Sequence, residues 1–467
     1  MGKNNYNLPY IIFLSVVAAT GGFLFGYDTA VISGTVQQVT AQFGLNSMQT
    51  GWYVGCALLG SILGVSTGGM LSDHFGRKKT MLLSAVLFTA SGLGCAVSSG
   101  FAGLVIYRII GGIGIGIVSI ISPMYISEIS LPKYRGSLVS LYQLAVTVGF
   151  LGAYLVNYWL LNISLSGYAP AGELMHKILV SEVWRGMLGA EALPAAIFFI
   201  VIFFIPESPR WLVVRKAESK AQMILMRILR DDKEVNDQIA DIRSLAKSEH
   251  KSEWSLILKP GMLRAVLIGS AIAILGQFMG VNAVLYYGPT IFQDSGLSSG
   301  DSLFYQVLVG LVNMLTTVIA LVIIDKAGRK KLVYFGVTGM IISLIAIGFY
   351  FILGQQLGLS SVFLLVFFMV YIFMCAISIC AVIWVLLSEM YPNNIRGLAM
   401  SIAGFALWVG TFLIGQLTPW MLEHLTPAGT FFTFALMCLP YLWLIRKKVP
   451  ETTGKSLEEI ERMWIKK

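Results

Sequence analysis

Twelve apolar runs, each long enough to cross a lipid bilayer, decide what this chain can become. They fall at residues 10–32, 50–71, 80–98, 101–127, 137–161, 189–206, 262–292, 302–324, 332–354, 361–390, 397–420 and 428–446. A spanning helix needs roughly 20 predominantly apolar residues. Within hydrocarbon the backbone must satisfy its own hydrogen bonds, which a helix does alone. Only 12% of the 467 residues are charged, against about 25% in a soluble domain. The first run exceeds the apolar core of a secretory signal and lacks a small-residue cleavage site, so it reads as a retained helix. The expected class is an all-α membrane protein with twelve transmembrane helices.

The net charge of +9 could point to nucleic acid, but its placement points to the bilayer. Basic residues cluster in alternate loops: Arg77, Lys78 and Lys79; Lys133 and Arg135; Lys326, Arg329, Lys330 and Lys331; Arg396; Arg446, Lys447 and Lys448. The intervening loops near 33–49, 97–103, 292–302, 354–361 and 418–430 hold no Lys or Arg, and 158–188 is mixed, with Lys177 and Arg185. The positive-inside rule then puts both termini in the cytoplasm, as an even number of spans requires. The expected location is the plasma membrane, the inner membrane of a bacterium.

Three patterns occur twice in the same order. Asp73-His74-Phe75-Gly76-Arg77-Lys78-Lys79 is matched by Asp325-Lys326-Ala327-Gly328-Arg329-Lys330-Lys331. Glu128 with Arg135-Gly136 is matched by Glu389 with Arg396-Gly397, and Pro206-Glu207-Ser208 by Pro450-Glu451-Thr452. Each falls at the end of the second, fourth or sixth span of its half. The chain therefore divides into two six-helix halves of like orientation, 1–206 and 260–448, a parallel repeat about the membrane normal. Residues 207–259 form a charged linker, expected as short amphipathic cytoplasmic helices, and 449–467 a cytoplasmic tail. Carboxylates and guanidiniums repeated at those offsets can pair across helix ends. Contacts present in one conformer only would act as a cytoplasmic latch; the alternative is that these charges merely fix topology.

Two charges stand inside apolar runs. Asp28 lies in Leu24-Phe25-Gly26-Tyr27-Asp28-Thr29, and Arg108 opens the glycine-rich run after Tyr107. Each costs about 2.5–3.5 kcal/mol at mid-bilayer on insertion scales, which favours a partner or a task. Burial raises a carboxyl pKa and a nearby guanidinium lowers it. A pair whose separation changes with conformation is a proton switch; a permanent pair is a helix lock. Buried amides stand at Gln143, Gln277, Asn282 and Asn313. On a straight helix Gln277 and Asn282 would point about 140° apart. Gly276, Gly280, Gly288 and Pro289 in the same span predict a bend or break that lets both face one cavity. Such amides serve as hydroxyl ligands or as interhelical glue.

No metal or cofactor motif is visible. Cys56, Cys95, Cys375, Cys380 and Cys438 lie within apolar runs without metal-type spacing. The run Gly111-Gly112-Ile113-Gly114-Ile115-Gly116 follows no strand and suits helix packing better than a dinucleotide. His74, His176, His250 and His424 fall in loops, and no nucleophile–base pair suggests an enzyme.

The paired Asp–Gly–Arg–Lys–Lys loops, Tyr107-Arg108-Ile109-Ile110-Gly111-Gly112, Pro206-Glu207-Ser208-Pro209-Arg210-Trp211 and Pro450-Glu451-Thr452-Thr453-Gly454-Lys455 together resemble the sugar porter family of the major facilitator superfamily over essentially the whole chain. The first span, Phe25 to Gly34, resembles the bacterial D-xylose/proton symporters of that family. The resemblance implies the major facilitator fold and alternating access of a central sugar site. It implies that Asp28 is the proton-coupling group, paired with Arg108, with Glu191 as a third member or as a support for Arg108. It implies sugar ligands at Gln143, Gln277, Asn282 and Asn313, with Trp384 and with Phe25, Tyr286, Tyr287 and Trp408 around the cavity. The expected cytoplasmic gate comprises Asp73, Arg77, Glu128, Arg135, Glu207, Arg210, Asp325, Arg329, Glu389, Arg396 and Glu451. The expected partners are a monosaccharide, protons and the lipid bilayer, without nucleic acid or cofactor, in a functional monomer. An uncoupled facilitator and a nontransporting sensor are the alternatives.

Three departures from the family pattern leave the sugar open between xylose and a hexose such as glucose. Gly276 replaces the first of paired glutamines, and Leu407 stands where the xylose symporter has glutamine. The tenth span reads Cys380-Ala381-Val382-Ile383-Trp384 without a Gly-Pro before its tryptophan.

Overall fold

The computed structural model describes residues 6–168, 170, 172–248, 256–354, 356–391 and 395–449. The tail from residue 450, with Glu451, and the side chain of Asp325 lie outside the described residues. Those described form helices and loops with no strand among them. Among the described residues, twelve helices are long and apolar enough to span a membrane. They are Leu8–Gly34, Ser47–Phe75, Arg77–Val97, Phe101–Ile129, Arg135–Leu165, Val183–Ile202, Gly261–Asp294, Ser299–Ile324, Arg329–Leu353, Ser361–Leu387, Arg396–His424 and Thr426–Lys448.

Three of the described spans, the sixth, seventh and tenth, are interrupted within their length. The seventh breaks between Pro260–Phe278 and Val281–Asp294, where Gly280 takes φ +90°. A Cβ there would lie 2.4 Å from the Phe434 ring, so glycine answers both the dihedral and the close approach. The sixth is interrupted by a turn at Ala190 and Glu191, which joins Val183–Gly189 to Ala192–Ile202. The tenth, which lacks a Gly-Pro before its tryptophan, has a π-turn over Ala376–Cys380. Ser378 Oγ caps that turn by donating to the Met374 carbonyl at 2.5 Å.

The sixth span begins at Val183, earlier than hydropathy predicts at 189, although Arg185 lies within it. That guanidinium is only 3% exposed. It is neutralised by Glu182 and lies over the Trp184 ring at 4.3 Å, a cation–π arrangement that helps offset its burial. Its partners also hold the Glu182 carboxyl below the usual range: burial pushes it up, and bonds with Gln42 and Arg185 outweigh that.

Between residues 207 and 248 the charged stretch forms the helices Pro209–Val214, Glu218–Leu229 and Asp232–Ser248. Ser208 caps the first by accepting from the Trp211 amide at 3.4 Å. Ala221, Leu225, Ile228, Leu229, Val235 and Ile239 are buried. Their 3–4-residue spacing makes these helices amphipathic, as their composition predicts. Arg243 and Glu218 join the second and third at 2.7 Å.

The chain forms two compact units, and their boundaries cut through four spans. The cuts fall after Asp28, Leu59, Phe150 and Met187. The first unit holds Asp28, Arg108, Glu191 and the charged helices. Here Gly26 in the first span meets the Val146 carbonyl of the fifth, and Gly149 meets that of Phe23. Small residues at such a crossing let the backbones touch. The second unit holds spans seven to twelve with the remaining parts of the first, second, fifth and sixth. Inside it, Tyr154 donates to the Leu285 carbonyl at 3.0 Å and Gln416 to that of Met48 at 2.9 Å. A Cβ on Gly51 would collide with the Gln416 carbonyl at 2.0 Å.

Candidate transport site

Asp28 and Arg108 meet. Arg108 Nη1 donates to Asp28 Oδ1, with the two residues 0% and 2% exposed. The glycine after Arg108's helical turn makes room: a Cβ on Gly111 would sit 2.4 Å from Ser91 Oγ and 3.6 Å from Asp28 Oδ2. Glu191, 1% exposed, interacts with both members of the pair. Its place at the interruption of the sixth span supplies the inward turn. Asp28 Oδ2 and Glu191 Oε1 have no hydrogen-bond partner among the described residues. Two carboxyl groups therefore share one guanidinium in a dry site, with acceptor capacity left over. If both acids ionise, the cluster carries an uncompensated negative charge. One bound proton removes it.

In the second unit, the broken seventh span brings its two amides together. Asn282 Nδ2 donates to Gln277 Oε1 at 2.7 Å, and Thr411 Oγ1 shares its one proton between that oxygen at 3.1 Å and the Leu407 carbonyl of its own helix at 2.9 Å. With that oxygen engaged by Asn282, Gln277 is left to present its NH2 group as a donor. Asn282 keeps its carbonyl oxygen as an acceptor. Sequence reasoning missed Thr411. The available signal was its position three residues after Trp408, on the same helical face.

The other expected ligands are distributed as follows. Gln143 and Phe25 are half-buried in the first unit. Asn313 and Trp408, in the second, are 8% and 7% exposed. Trp384 is 39% exposed, its ring edge beside Gly404. Tyr286 packs near Gly415. The Tyr287 hydroxyl donates to the Gly415 carbonyl at 2.5 Å, so that group ties span seven to span eleven. Gln306, fully buried, donates to the Val284 and Leu285 carbonyls beside the seventh span.

The duplicated charges make duplicated contacts. Arg77 engages Glu128 side-on, with Nε to Oε2 at 3.0 Å and Nη2 to Oε1 at 2.9 Å. Arg329 Nη2 reaches Glu389 Oε1 at 2.9 Å. Arg77 also bonds Asp73 Oδ1 at 3.2 Å, although the Asp73 side chain is 77% exposed. Each Glu is thus joined to the arginine of the preceding loop motif. Arg396 donates to the Tyr391 carbonyl, Arg135 opens the fifth span exposed, and Arg210 is exposed at the start of its short helix. Glu207 accepts the amides of Arg77, Lys78 and Ser208 at 2.8, 3.1 and 2.8 Å. Burial pushes its carboxyl above the ordinary glutamate range, and those amides pull against that. Lys78 Nζ and Lys330 Nζ donate to the carbonyls of Phe203 and Val449, at 3.0 and 2.9 Å.

Twelve spans with a buried acid–base cluster and an amide cluster define a secondary transporter of the major facilitator fold. The chain belongs to the sugar transporter family. The profile of the family described as "Sugar (and other) transporter" matches residues 14–464. The chain is similar to the arabinose-proton symporter of Bacillus subtilis, 37% identical over 99% of this chain and 97% of that one. It is likewise 36% identical to the D-xylose-proton symporter of Escherichia coli, over 99% and 97%. Among solved structures it is similar to the partially occluded inward open conformation of the xylose transporter XylE from E. coli. That likeness has a TM-score of 0.82 and 33% identity, covering 96% of this chain and 100% of the other.

Proposed function

We propose that this protein is a proton-coupled monosaccharide importer that works by alternating access in the plasma membrane, with both termini cytoplasmic. The observation that carries the reading is the buried cluster of Asp28, Glu191 and Arg108, two acids on one base. When Arg108 holds Asp28, the carboxylate is stabilised and its proton leaves. When the helices carrying them separate, desolvation dominates and the acid takes up a proton. Moving one net charge through the membrane potential supplies about 2.3 kcal/mol per 100 mV, enough to concentrate a neutral solute.

Sugar recognition falls to Gln277 and Asn282, with Gln143, Asn313, Trp384, Trp408, Phe25, Tyr286 and Tyr287 as the further lining. Donor and acceptor amides suit hydroxyls, which do both, and aromatic faces suit sugar rings. Relatives named as arabinose-, xylose- and glucose-transporting proteins support a monosaccharide of pentose or hexose size. The Arg77–Glu128 and Arg329–Glu389 pairs act as the gate on the cytoplasmic side, joined by Asp73, Arg135, Glu207, Arg210 and Arg396. Transport needs no cofactor beyond the proton and no second copy of the chain.

The test is reconstitution into vesicles and addition of a panel of sugars without an imposed gradient. A coupled importer alkalinises the medium as sugar enters and shows pH-dependent counterflow. Sugar entry with no proton movement would sink the coupling.

A further inference from the structure

The described cysteines are free, and two of them meet: the sulfurs of Cys375 and Cys380 are 3.6 Å apart. Residues five apart on an α-helix are turned about 140° from one another, so a regular helix would separate these thiols. They meet because the π-turn Ala376–Cys380 follows Cys375 directly. Its backbone bonds run from each residue to the fifth along, which stacks such pairs. The thiol contact therefore belongs to one backbone state, and regularising the span would part the sulfurs. Two contacts hold that state. Ser378 bonds the Met374 carbonyl, and Gly336 of the ninth span approaches so closely that a Cβ there would lie 2.0 Å from Ser378 Oγ. Trp384 follows four residues after Cys380, so the geometry of the turn sets where its indole points.

We propose that Cys375 and Cys380 form a reversible oxidation site whose disulfide fixes the π-turn and arrests the transport cycle. The arrest rests on the transport function proposed above; the thiol chemistry does not. The oxidant is a small hydroperoxide, uncharged and able to enter from lipid. Cys380 is half-buried whereas Cys375 is 1% exposed, so Cys380 reacts first. Its sulfur attacks the peroxide O–O bond, becomes a sulfenic acid, and one water leaves with the thiol proton. Cys375 then attacks the sulfenic sulfur, the S–S bond forms, and a second water departs. Two thiols and one hydrogen peroxide give one disulfide and two waters. The sulfurs need only close from 3.6 Å to about 2.05 Å.

The experiment uses the reconstituted native chain, and in parallel a variant retaining only this pair (Cys56→Ala, Cys95→Ala, Cys438→Ala). Each is treated with hydrogen peroxide, alkylated and mapped by mass spectrometry. Sugar counterflow is measured before treatment, after it, and after dithiothreitol. The expected result is a Cys375–Cys380 crosslink with loss of counterflow that dithiothreitol restores. Cys375→Ala should form no crosslink and keep its counterflow through the same treatment. Both thiols still alkylating after peroxide overturns the site, and a crosslink that leaves counterflow unchanged overturns the arrest. If the reduced protein moves no sugar at all, the transport function fails separately, and the mass map still decides the thiol site.

Discussion

Asn282 donates to Gln277 across the break at Gly280, at 2.7 Å, although a continuous helix would turn the two about 140° apart. The amide cluster thus depends on the break. Gly280→Ala strains a φ of +90° and drives a methyl into Phe434. It should lower thermal stability and raise the sugar KM together. A KM unchanged in folded, purified Gly280→Ala would show that the amides do not form the sugar site.

Thr411 lies 3.1 Å from Gln277 Oε1 while also bonding the Leu407 carbonyl at 2.9 Å, and with Asn282 it holds that end of the amide inward. Thr411→Val should raise the sugar KM roughly 2- to 13-fold, the worth of one net hydrogen bond of about 0.5–1.5 kcal/mol. Thr411→Ser should restore it. Initial-rate uptake across sugar concentrations reads both variants.

Asp28→Asn replaces a carboxylate oxygen with an amide nitrogen and keeps the volume. Uphill accumulation driven by a pH gradient should fall to the level of equilibration, while counterflow persists. Full accumulation by Asp28→Asn would assign coupling to another group.

The Arg77–Glu128 pair is more buried than its duplicate. Its side chains are 9% and 5% exposed, against 11% and 23% for Arg329–Glu389. It is also side-on at two nitrogens. Double-mutant cycles by thermal unfolding should therefore give a larger coupling for Arg77–Glu128, within the roughly 0.5–3 kcal/mol range of contacting residues. Equal couplings would mean that burial does not set their strength.

Glu207 binds its proton more readily when folded than when unfolded, because burial raises its pKa. Such a group stabilises below its unfolded value, about 4.3, and that contribution fades as pH rises through the higher folded value. On acidification across that window, the Tm of the wild type should rise relative to Glu207→Gln. A difference independent of pH would mean that the three backbone amides keep Glu207 ionised throughout.

The spans were legible because lipid imposes one rule on every residue of a run. Asp28 and Arg108 were legible as a pair because isolated charges in apolar helices need partners. The partner of Glu128 was harder to read. Its own motif offered Arg135 seven residues on, but Arg77, 51 residues back, wins because the fold brings the neighbouring loop beside it. Thr411 bonds its own helix at Leu407, as many small hydroxyls here do, so its place three residues after Trp408 was a faint signal, and the fold adds the contact with Gln277. The π-turn is likewise silent in composition. Ser378 and Gly336 create it from two different spans, with none of the proline or glycine that signals a bend along one.

Lys78 closes the exposed carbonyl end of the sixth span and Lys330 does the same after the twelfth. Each of these helix ends is therefore closed by its own lysine, and neither depends on the other for that task. A chain nicked in the charged helices between them should accordingly retain both frayed ends intact. A fault at one of these helix ends thus leaves the other closed.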